Sequence, residues 1–501
     1  MFGAIHLDAE ADLPLYRQLH RHIRAQILGG ILTPGDRLPA TRELAQQLGL
    51  NRATVSSAYA LLEEEALIHG HVGRGSFVAF PEAGAADGVT NFGESGESSG
   101  SAAWRPSLRA PSAPIASNLS EISFATSRPH AGLFPMDQFR RSCQEVLTDE
   151  MAHTVLQLGS PLGYAPLRQY LLEEAEERQI GRANDDILIT NGCQQAMDLL
   201  ARAVLSPGDA VLVEEPVYPG LKAALAQAKV RLVGLPVGPD GVTPEAFALA
   251  LASERPKMAV LTPSFQNPTG ATMPNEAREA IVESAASADV MLVENDLYSA
   301  LRYRGEALPA MKALDPTGGV VLLGSFSKVA FPGLRVGWVV APRPLIRRLA
   351  EIKQATDLHT DQLSQAVLLR FAESGRLAEH LRHVCSVGLA QVDAAVEGCE
   401  RSFPPGTQYT RPDGGLNLWV RLPESMDANL LLSTAQARGV SYLPARYFAV
   451  NRLEENAFRL SFGGLTPDEI ERGLRLLGAV FAEELARAER SGVVEMETAM
   501  V

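Results

Sequence analysis

Cysteine is scarce in this sequence, and the few cysteines are far apart. Only four occur in 501 residues, Cys143, Cys193, Cys385 and Cys399, and none has the close partner that zinc ligands require. The sequence therefore predicts neither a disulfide framework nor a metal site. Free thiols at these spacings are typical of a protein in a reducing cytoplasm.

Long apolar runs and excess positive charge are also missing. The N-terminal stretch MFGAIHLDAEADLP is acidic where a signal peptide would be apolar, and no later stretch reaches the roughly 18 apolar residues of a membrane span. The formal net charge is -14, which excludes a nonspecific nucleic-acid coat because such proteins neutralise many phosphates. We predict a cytoplasmic protein without membrane contact, in which any DNA contact is a local patch.

The chain is too long for one ordinary hydrophobic core, so at least two domains are expected. Residues 81–117 are rich in Gly, Ser, Ala and Pro and predict a flexible linker. Before the linker, residues 13–80 predict a small domain. After it, residues 118–485 alternate apolar runs such as DAVLVEE with helical stretches, which predicts an α/β domain with a buried sheet. Residues 486–501 are predicted to be a frayed tail.

The small domain has the pattern of a helix-turn-helix. Apolar residues recur every four positions before Gly29 and predict an amphipathic first helix: Leu15, Leu19, Ile23 and Ile27. Thr41 is predicted to cap a second helix that ends at Gly49, and Asn51 to cap a third. The third helix has one apolar face, formed by Val55, Ala58, Tyr59 and Leu62. Two short helices joined by a tight glycine-containing turn form a helix-turn-helix.

Polar residues of the third helix are candidates for contact with DNA. Arg52, Thr54, Ser56 and Ser57 lie near its start, where recognition helices of this motif meet base edges and phosphates. A hairpin around Gly73-Arg74-Gly75 predicts a wing, and the candidate phosphate ligands are Arg42, Arg52 and Arg74. The alternative is a small helical domain that binds protein or only dimerises, because residues 1–80 carry seven arginines and no lysine against eight acidic residues.

The segment GDRLPATRELAQQLGLNRATVSSAYALLEEEALI resembles the GntR-type winged helix-turn-helix. The similarity lies in its RLP, RELA, LG, RxTV and AY elements and covers most of residues 13–78, while Ala40 and the Glu65-Ala66 pair depart from the pattern. The resemblance implies binding of operator DNA. The residues implied in that contact are Arg42, Asn51, Arg52, Thr54, Ser56, Ser57 and Arg74.

In the α/β domain, VVLLGSFSKVAFPGLRVGW is the most informative stretch. A buried strand ends in Ser325, Ser327 and Lys328, and Arg335 follows after a Pro-Gly turn. Pyridoxal 5'-phosphate (PLP) needs a lysine that holds its aldehyde as an imine, and hydroxyl, amide and guanidinium groups that hold its phosphate. A lysine at a strand end is by itself usually a solvated cation, so the case for a PLP site at Lys328 depends on the other strand ends.

Two further strand ends carry groups that suit the PLP ring. ADVMLVENDLYSAL ends in Asp296, suited to the pyridinium nitrogen, and in Tyr298, suited to the phenolic oxygen. LTPSFQNPTG offers Asn267 to the same oxygen, although an Asn-Pro pair is more often only a turn.

Two other strand ends suit the phosphate and the ring face. ILITNGCQQAMDLL places the amides of Gly192, Cys193 and Gln194 at the start of a helix, where a phosphate binds well, although an ordinary strand-to-helix turn has the same pattern. EEPVYPG places Tyr218 where it could stack on the pyridine ring, although an aromatic residue there is more often part of the core.

Polar groups at five strand ends are typical of ligand sites in α/β sheets. Together these segments resemble the fold-type I PLP enzymes, the aspartate-aminotransferase-like superfamily, over roughly residues 118–485. The resemblance implies that Lys328 holds PLP as an aldimine, that Asp296 pairs with the pyridinium nitrogen, and that Asn267 and Tyr298 bind the ring oxygen. The phosphate and the ring face are assigned to Ser325, Ser327, Arg335, Gly192, Cys193, Gln194 and Tyr218.

Two further positions concern a substrate carboxylate and the neighbouring subunit. ENAFRLSFG is similar to the strand that presents an arginine to a carboxylate, here Arg459, with an arginine on a surface strand as the alternative. LQLGSPLGYAPLRQYL resembles a segment that often begins with a tyrosine that contacts the neighbouring subunit's phosphate. Leu158 stands in that place, and Tyr164 is not assigned its role. This departure argues against efficient catalysis.

A GntR-type head before an aminotransferase-like body resembles the MocR-type (GabR-like) transcription regulators. The resemblance implies a head-to-tail homodimer that binds PLP and operator DNA and responds to an amine or amino-acid effector, or to PLP itself. The effector amine would displace Lys328 and its carboxylate would pair with Arg459, with at most weak transaminase activity.

Two alternatives remain at this point. All the groups needed for transamination are present, so the chain could be a working aminotransferase whose head is vestigial or serves only in assembly. A plain GntR-like repressor with an inert dimerisation body would instead bind no PLP.

Overall fold

The computed structural model describes residues 14–28, 32, 38–64, 67–71, 75–78, 121–150 and 152–499. The predicted linker and Arg74 lie outside these ranges. The chain divides into two compact units, Met1–Ser112 with Glu484–Val501, and Ala113–Glu483. We call residues 14–78 the head and residues 121–483 the body, and describe each by itself.

Helices and one hairpin form the head: α1 (Leu15–Leu28), α2 (Thr41–Leu48), α3 (Arg52–Glu64), β1 (Ile68–His71) and β2 (Gly75–Val78). The two strands pair antiparallel, with Ile68 opposite Val78. Most of the apolar residues predicted to face inward pack in one cluster with both strands, whereas Leu15 is half-buried and lies outside it. The buried members of the cluster include Leu19, Ile23, Val55, Ala58, Tyr59 and Leu62. The predicted helix-turn-helix with a hairpin after it is confirmed.

The turn between α2 and α3 is built largely as predicted. Gly49 ends α2 with φ 68°, a left-handed conformation that glycine adopts without steric cost. The Asn51 Oδ1 atom accepts a hydrogen bond from the Ala53 amide at 3.0 Å and so caps α3. The prediction for Thr41 is wrong: Ala40 holds the N-cap position with extended backbone, so Thr41 already lies inside the first turn and no side chain caps α2.

A large sheet forms the centre of the body, in the order β4-β11-β10-β9-β8-β5-β6-β7. Its strands are β4 (Asp185–Thr190), β5 (Ala210–Glu215), β6 (Arg231–Gly238), β7 (Gly241–Val242), β8 (Met258–Leu261), β9 (Met291–Asn295), β10 (Val320–Ser325) and β11 (Gly337–Pro342). The neighbours from β10 to β6 are parallel, whereas β11 is antiparallel to both β10 and β4. The carboxyl ends of β4, β5, β8, β9 and β10 therefore lie at one edge of the sheet.

Helices cover the sheet because its strands are apolar on both faces. Val211 and Val213 of β5 pack in one buried cluster with α7, while Leu212 between them packs in another with α9 and α10. The helices of this part are α4 (Met136–Thr148), α5 (Ala152–Val155), α6 (Ala165–Glu177), α7 (Gly192–Val204), α8 (Pro219–Ala226), α9 (Pro244–Glu254), α10 (Asn275–Ser287), α11 (Met311–Leu314), α12 (Arg343–Asp357) and α13 (Gln362–Glu373). The body has the predicted α/β fold.

A smaller sheet follows, in the order β12-β13-β16-β15. Its strands are β12 (Gln408–Tyr409), β13 (Asn417–Arg421), β15 (Leu443–Pro444) and β16 (Ala457–Ser461), and β14 (Val440–Ser441) pairs with the early strand β3 (Ile122–Ser123). The helices that accompany it are α14 (Arg376–Ser402), α15 (Ala428–Ala437) and α16 (Pro467–Ala499). Helix α16 continues through residues 491–499, where the sequence predicts a frayed tail.

Within the described ranges, no helix is both long and apolar enough to cross a membrane. The same residues contain no group of three or more His, Cys, Asp or Glu side chains that could hold a metal ion.

Candidate functional site

Polar residues meet where the parallel strands of the large sheet end. Asn267 follows β8, Asp296 and Tyr298 follow β9, Ser327 and Lys328 follow β10, and Arg335 precedes the antiparallel strand β11. Because β11 runs opposite to its neighbours, its start lies at the edge where they end. Ligands of open α/β sheets bind at this edge.

One side of the site is a cup of hydroxyl, amide and guanidinium groups. The Ser325 and Ser327 hydroxyls lie 3.0 Å apart, and Arg335 Nη1 donates to Ser327 Oγ at 3.3 Å. Gly192, the first residue of α7, has φ 75°, and a Cβ atom there would collide with the Arg335 guanidinium. A helix start, two hydroxyls and an arginine make a site that suits a phosphate group.

The other side of the site holds Lys328, Tyr298 and Asn267. The Lys328 Nζ atom lies 5.8 Å from the centre of the Tyr298 ring and donates a hydrogen bond to the Ser127 carbonyl at 2.7 Å. Asn267 Nδ2 donates to the Tyr298 hydroxyl at 3.3 Å. Lys328 is half-buried rather than a freely solvated cation, and Asn267 and Tyr298 are both buried.

Cys193, the second residue of α7, lies among the charged groups of the site. Burial raises the pKa of its thiol to about 12, while Arg335 and Lys328 lower it and Asp296 raises it. The thiol is therefore protonated, and Sγ donates to the Gly324 carbonyl at 3.3 Å. The charges of Arg335, Lys328 and Asp296 all act on this one thiol.

Asp296 has a partner that the sequence did not suggest. Arg178, directly after α6, lies with Nη2 at 3.3 Å from the Asp296 carboxylate, which is 7% exposed, whereas the Arg178 side chain is 53% exposed. The ion pair joins residues 118 positions apart. No local pattern around Arg178 predicts it.

Arg459 on β16 is buried beside Asn267, which excludes the alternative of a surface arginine. Its Nη1 donates to Asn267 Oδ1 at 3.0 Å, its Nη2 donates to the Ala125 carbonyl, and its guanidinium carbon lies 5.1 Å from the centre of the Phe448 ring. Burial lowers the pKa of Arg459 to about 10, so the side chain is a cation at neutral pH.

Tyr218 and Gln194 border the site less tightly. Tyr218 is 45% exposed, so it is not part of the hydrophobic core. Burial of its hydroxyl and the nearby Tyr298 raise the pKa of Tyr218, whereas Arg459 and Arg335 lower it. Gln194 Nε2 donates to the Gly220 carbonyl at 2.7 Å, so its side chain points to the first turn of α8.

The residues after β3 reach the site without a signal in the sequence. The Ala125 carbonyl accepts from Arg459 and the Ser127 carbonyl accepts from Lys328. Sequence analysis missed both contacts because every residue has a backbone carbonyl. It also passed over Asn417, the buried asparagine that begins β13.

The predicted DNA-contacting residues of the head lie at the surface. Arg42, Asn51, Arg52, Ser56 and Ser57 are exposed, and Thr54 is half-buried. In the body, Leu158 is 73% exposed and offers no polar atom from its side chain at the place of the missing tyrosine.

Two family models match separate parts of the chain. Residues 15–78 match bacterial regulatory proteins of the gntR family, and residues 128–477 match aminotransferase class I and II. Together they define a class of protein, the DNA-binding transcription regulators with a PLP-dependent aminotransferase-like body. The chain belongs to the aminotransferase class I and II family and, with its gntR-family head, has the organisation of the MocR-type regulators.

Relatives with both parts and relatives with only the body are similar to the chain. The probable rhizopine catabolism regulatory protein MocR of Rhizobium meliloti is 30% identical over 98% of this chain and 98% of its own length. The 2-aminoadipate transaminase of Thermus thermophilus is 36% identical over 73% of this chain and 91% of its own length. The structure of kynurenine aminotransferase from Pyrococcus horikoshii is 35% identical, covers 73% of this chain and 92% of that one, and has a TM-score of 0.71.

The cofactor of this body is pyridoxal 5'-phosphate, and the groups present fit it. A lysine lies over the ring of a buried tyrosine, a carboxylate with little exposure stands two residues before that tyrosine, and the cup around Arg335 has the donors that a phosphate requires. The side chains and backbone amides of this chain therefore match the groups that PLP requires.

Proposed function

We propose that the body senses an amine or amino-acid effector, or PLP itself, and that the signal changes the affinity of the head for operator DNA. One continuous contact chain supports the proposal. Arg459 donates to Asn267, Asn267 donates to Tyr298, and Lys328 lies over the Tyr298 ring. These contacts connect Arg459, a cation that can bind a carboxylate, with Lys328, the lysine that an effector amine would displace.

Each residue of the site has a role in this proposal. Lys328 holds the cofactor covalently, Asp296 keeps its ring nitrogen protonated, and Asn267 and Tyr298 hydrogen-bond its ring oxygen. The bound cofactor supplies an electrophilic carbon that an amine can attack. The phosphate ligands are Ser325, Ser327 and Arg335 with the amides of Gly192, Cys193 and Gln194, and Tyr218 covers the ring.

Arg459 is the proposed ligand of the effector carboxylate. Its buried guanidinium can form two parallel hydrogen bonds with a carboxylate, which gives both affinity and direction. In the structure, Asn267 Oδ1 and the Ala125 carbonyl accept hydrogen bonds from its two Nη atoms. An effector that replaces the Ala125 carbonyl therefore changes the position of the segment directly after β3.

The head is proposed to contact DNA through exposed polar residues near the starts of α2 and α3 and through the wing. They are Arg42, Asn51, Arg52, Thr54, Ser56, Ser57 and Arg74. We further propose that the chain works as a head-to-tail homodimer, because a dimer matches the two half-sites that a helix-turn-helix protein usually reads. The effector shifts the head only if it binds the DNA-competent and DNA-incompetent states with different affinities.

A working aminotransferase is the second candidate. It is favoured by the complete donor set around Lys328 and by the similarity of the body to transaminases over 73% of the chain. Leu158 argues against it, since no side-chain polar atom stands at that position.

The test measures the affinity of the PLP-loaded protein for promoter fragments by fluorescence anisotropy, with and without a panel of amines and amino acids. The cofactor absorbance is recorded in the same samples. We expect one compound to change affinity and absorbance over the same concentration range. Absorbance changes with steady turnover of an amino donor and a keto acid, without any DNA binding, would support the enzyme instead.

A further inference from the structure

Asn417 on β13 faces the same side of the small sheet as Arg459. Trp419 pairs with Arg459 across the antiparallel ladder and Asn417 pairs with Ser461. Side chains alternate along a strand, so Asn417 and Trp419 share one face while Leu418 and Val420 lie in the core behind it. The Asn417 and Arg459 side chains are therefore diagonal neighbours.

The loop that carries Asn267 lies directly on Asn417. Gly270 has φ 75°, and a Cβ atom there would come within 2.7 Å of the Asn417 carbonyl. The Thr410 hydroxyl accepts from the Trp419 amide at 2.9 Å and donates to the Thr269 carbonyl at 2.7 Å. Asn417 thus lies at the junction of β13 and the loop that supplies the Arg459 partner.

Within the described ranges, no protein group hydrogen-bonds the side-chain amide of Asn417. The residue is 1% exposed, and both Oδ1 and Nδ2 are buried without a partner; no other side chain in the described ranges leaves two polar atoms in this state. Two buried glutamines show the usual arrangement: Gln391 Nε2 donates to the Leu465 carbonyl at 2.6 Å, and Gln266 Nε2 donates to the Pro216 carbonyl at 2.9 Å. An unpaired buried amide destabilises the fold, so the position would be more stable with an apolar residue.

A second unpaired group lies on the same face. The Nε atom of Arg459 is buried and has no partner, although both Nη atoms are hydrogen-bonded. Arg459 is itself only 3% exposed, so a carboxylate reaches it only when the Ala125 carbonyl moves away. Asn417, which is 1% exposed, lies diagonally from Arg459 on the same face of the sheet.

We propose that Asn417 determines effector specificity by hydrogen-bonding a neutral polar group on the effector side chain. This inference rests on the proposed function, in which Arg459 takes the effector carboxylate. An amide offers one acceptor and two donors, so its natural complement is a group that both donates and accepts, a hydroxyl or a carboxamide. A carboxylate would leave Oδ1 unpaired, and an ammonium group would leave Nδ2 unpaired.

The test compares amino acids of equal shape that differ only in this group. The full-length PLP-loaded protein is titrated with L-asparagine against L-leucine, and with L-threonine against L-valine, by cofactor absorbance and by calorimetry. We expect the polar member of at least one pair to bind about tenfold or more tightly. In Asn417→Leu the preference is lost or reversed, because the amide that recognises the polar group is gone.

Asn456→Leu is the matched control. Asn456 Nδ2 donates to the Leu422 carbonyl, so its amide is satisfied. We expect Asn417→Leu to raise the melting temperature of the effector-free protein by a few degrees, and Asn456→Leu to lower it while the preference among amino acids stays intact. A variant at Asn417 with a lower melting temperature would contradict the unpaired state of the amide.

The outcomes separate this inference from the proposed function. If amino acids change the absorbance but neither pair is discriminated, or if Asn417→Leu keeps the discrimination, the role of Asn417 is wrong and the sensing proposal stands. If Asn417→Leu weakens both members of each pair equally, Asn417 binds the common carboxylate and the side-chain role is wrong. If no amine or amino acid changes the absorbance or the heat signal, the role of Asn417 fails together with the sensing of an amine or amino acid, and PLP itself is left as the signal.

Discussion

Arg52 in the head is exposed, whereas Arg459 in the body is 3% exposed and hydrogen-bonded to Asn267. An exposed arginine is well suited to the DNA backbone, because a phosphate can approach it from many directions and salt screens the attraction. A buried arginine is held in one orientation and is screened far less. With the proposed function, the affinity of the head for DNA should depend on salt, whereas recognition by the body should depend on the shape of the ligand.

Lys328→Ala should have the largest effect, because it should abolish cofactor attachment in the body and leave the head unchanged. Without the amine the cofactor cannot be held covalently, so its characteristic visible absorbance should disappear. The head should keep its fold and its circular dichroism, because its core is formed by its own residues. Lys257→Ala, at an exposed lysine, is the control and should keep the spectrum. An unchanged spectrum in Lys328→Ala would refute the assignment of the lysine.

Arg459→Leu should lower the affinity of the body for amino-acid effectors about 100-fold, since charge-assisted hydrogen bonds contribute about 1.5 to 3 kcal/mol each. A matching amine without a carboxylate should bind the variant and the unmodified protein alike. The measurement is a titration of the cofactor absorbance with both compounds. Equal losses for the amine and the amino acid would mean that Arg459 supports the site without touching the carboxylate.

Arg52→Ala should weaken operator binding about tenfold and leave the cofactor content unchanged. If Arg52 contacts a phosphate, the slope of log affinity against log salt should fall by about one. Anisotropy titrations at several salt concentrations check both effects. Arg202→Ala, on the surface of the body, should leave DNA affinity unaltered. Equal affinity in Arg52→Ala would remove this residue from the DNA-contacting surface.

Glu214 on β5 should make the stability of the body depend on pH. Burial raises the pKa of its carboxyl from about 4.5 to about 8, although hydrogen bonds from Thr262 and Gln266 lower it. Between these pH values the folded state keeps a proton that the unfolded state has lost. Stability should then fall with rising pH by about 1.4 kcal/mol per pH unit from this group.

Urea unfolding of Glu214→Gln at several pH values checks the sign. The variant should lose this part of the pH dependence between about pH 4.5 and 8, because an amide does not ionise in this range. Parallel stability curves for the two proteins would show that Glu214 ionises in the folded state as readily as in the unfolded state.

The sequence predicts the strands of the large sheet well because their apolar runs leave no other environment. VVLLGS became β10 and MLVEN became β9, both buried. The convergence of Asn267, Asp296 and Lys328 follows from the same fact, since parallel strands end at a common edge. In the head, Val55, Ala58, Tyr59 and Leu62 recur at helical spacing. This spacing predicts the inner face of α3, because apolar residues on one side of a helix are buried.

Other parts of the site could not be predicted, for physical reasons that differ. The Ala125 and Ser127 carbonyls are backbone groups, which have no residue signature. The Arg178–Asp296 pair depends on the end of α6 reaching β9 across the fold. In the head, the sequence places the N-cap of α2 at Thr41, one residue after its actual position at Ala40. A threonine is compatible with both the N-cap and the first turn, and only the backbone angles distinguish the two positions.

Arg459 is synthesised much later than the head and later than its partner Asn267. These residues are 192 positions apart, whereas the buried core of the head lies between Leu19 and Val78. Synthesis proceeds from the N-terminus, and N-terminal domains generally fold first. On each new chain, the hydrophobic core of the DNA-binding part can close before Arg459 has been added. The proposed carboxylate site is therefore completed only late in synthesis, after the core of the head can have formed.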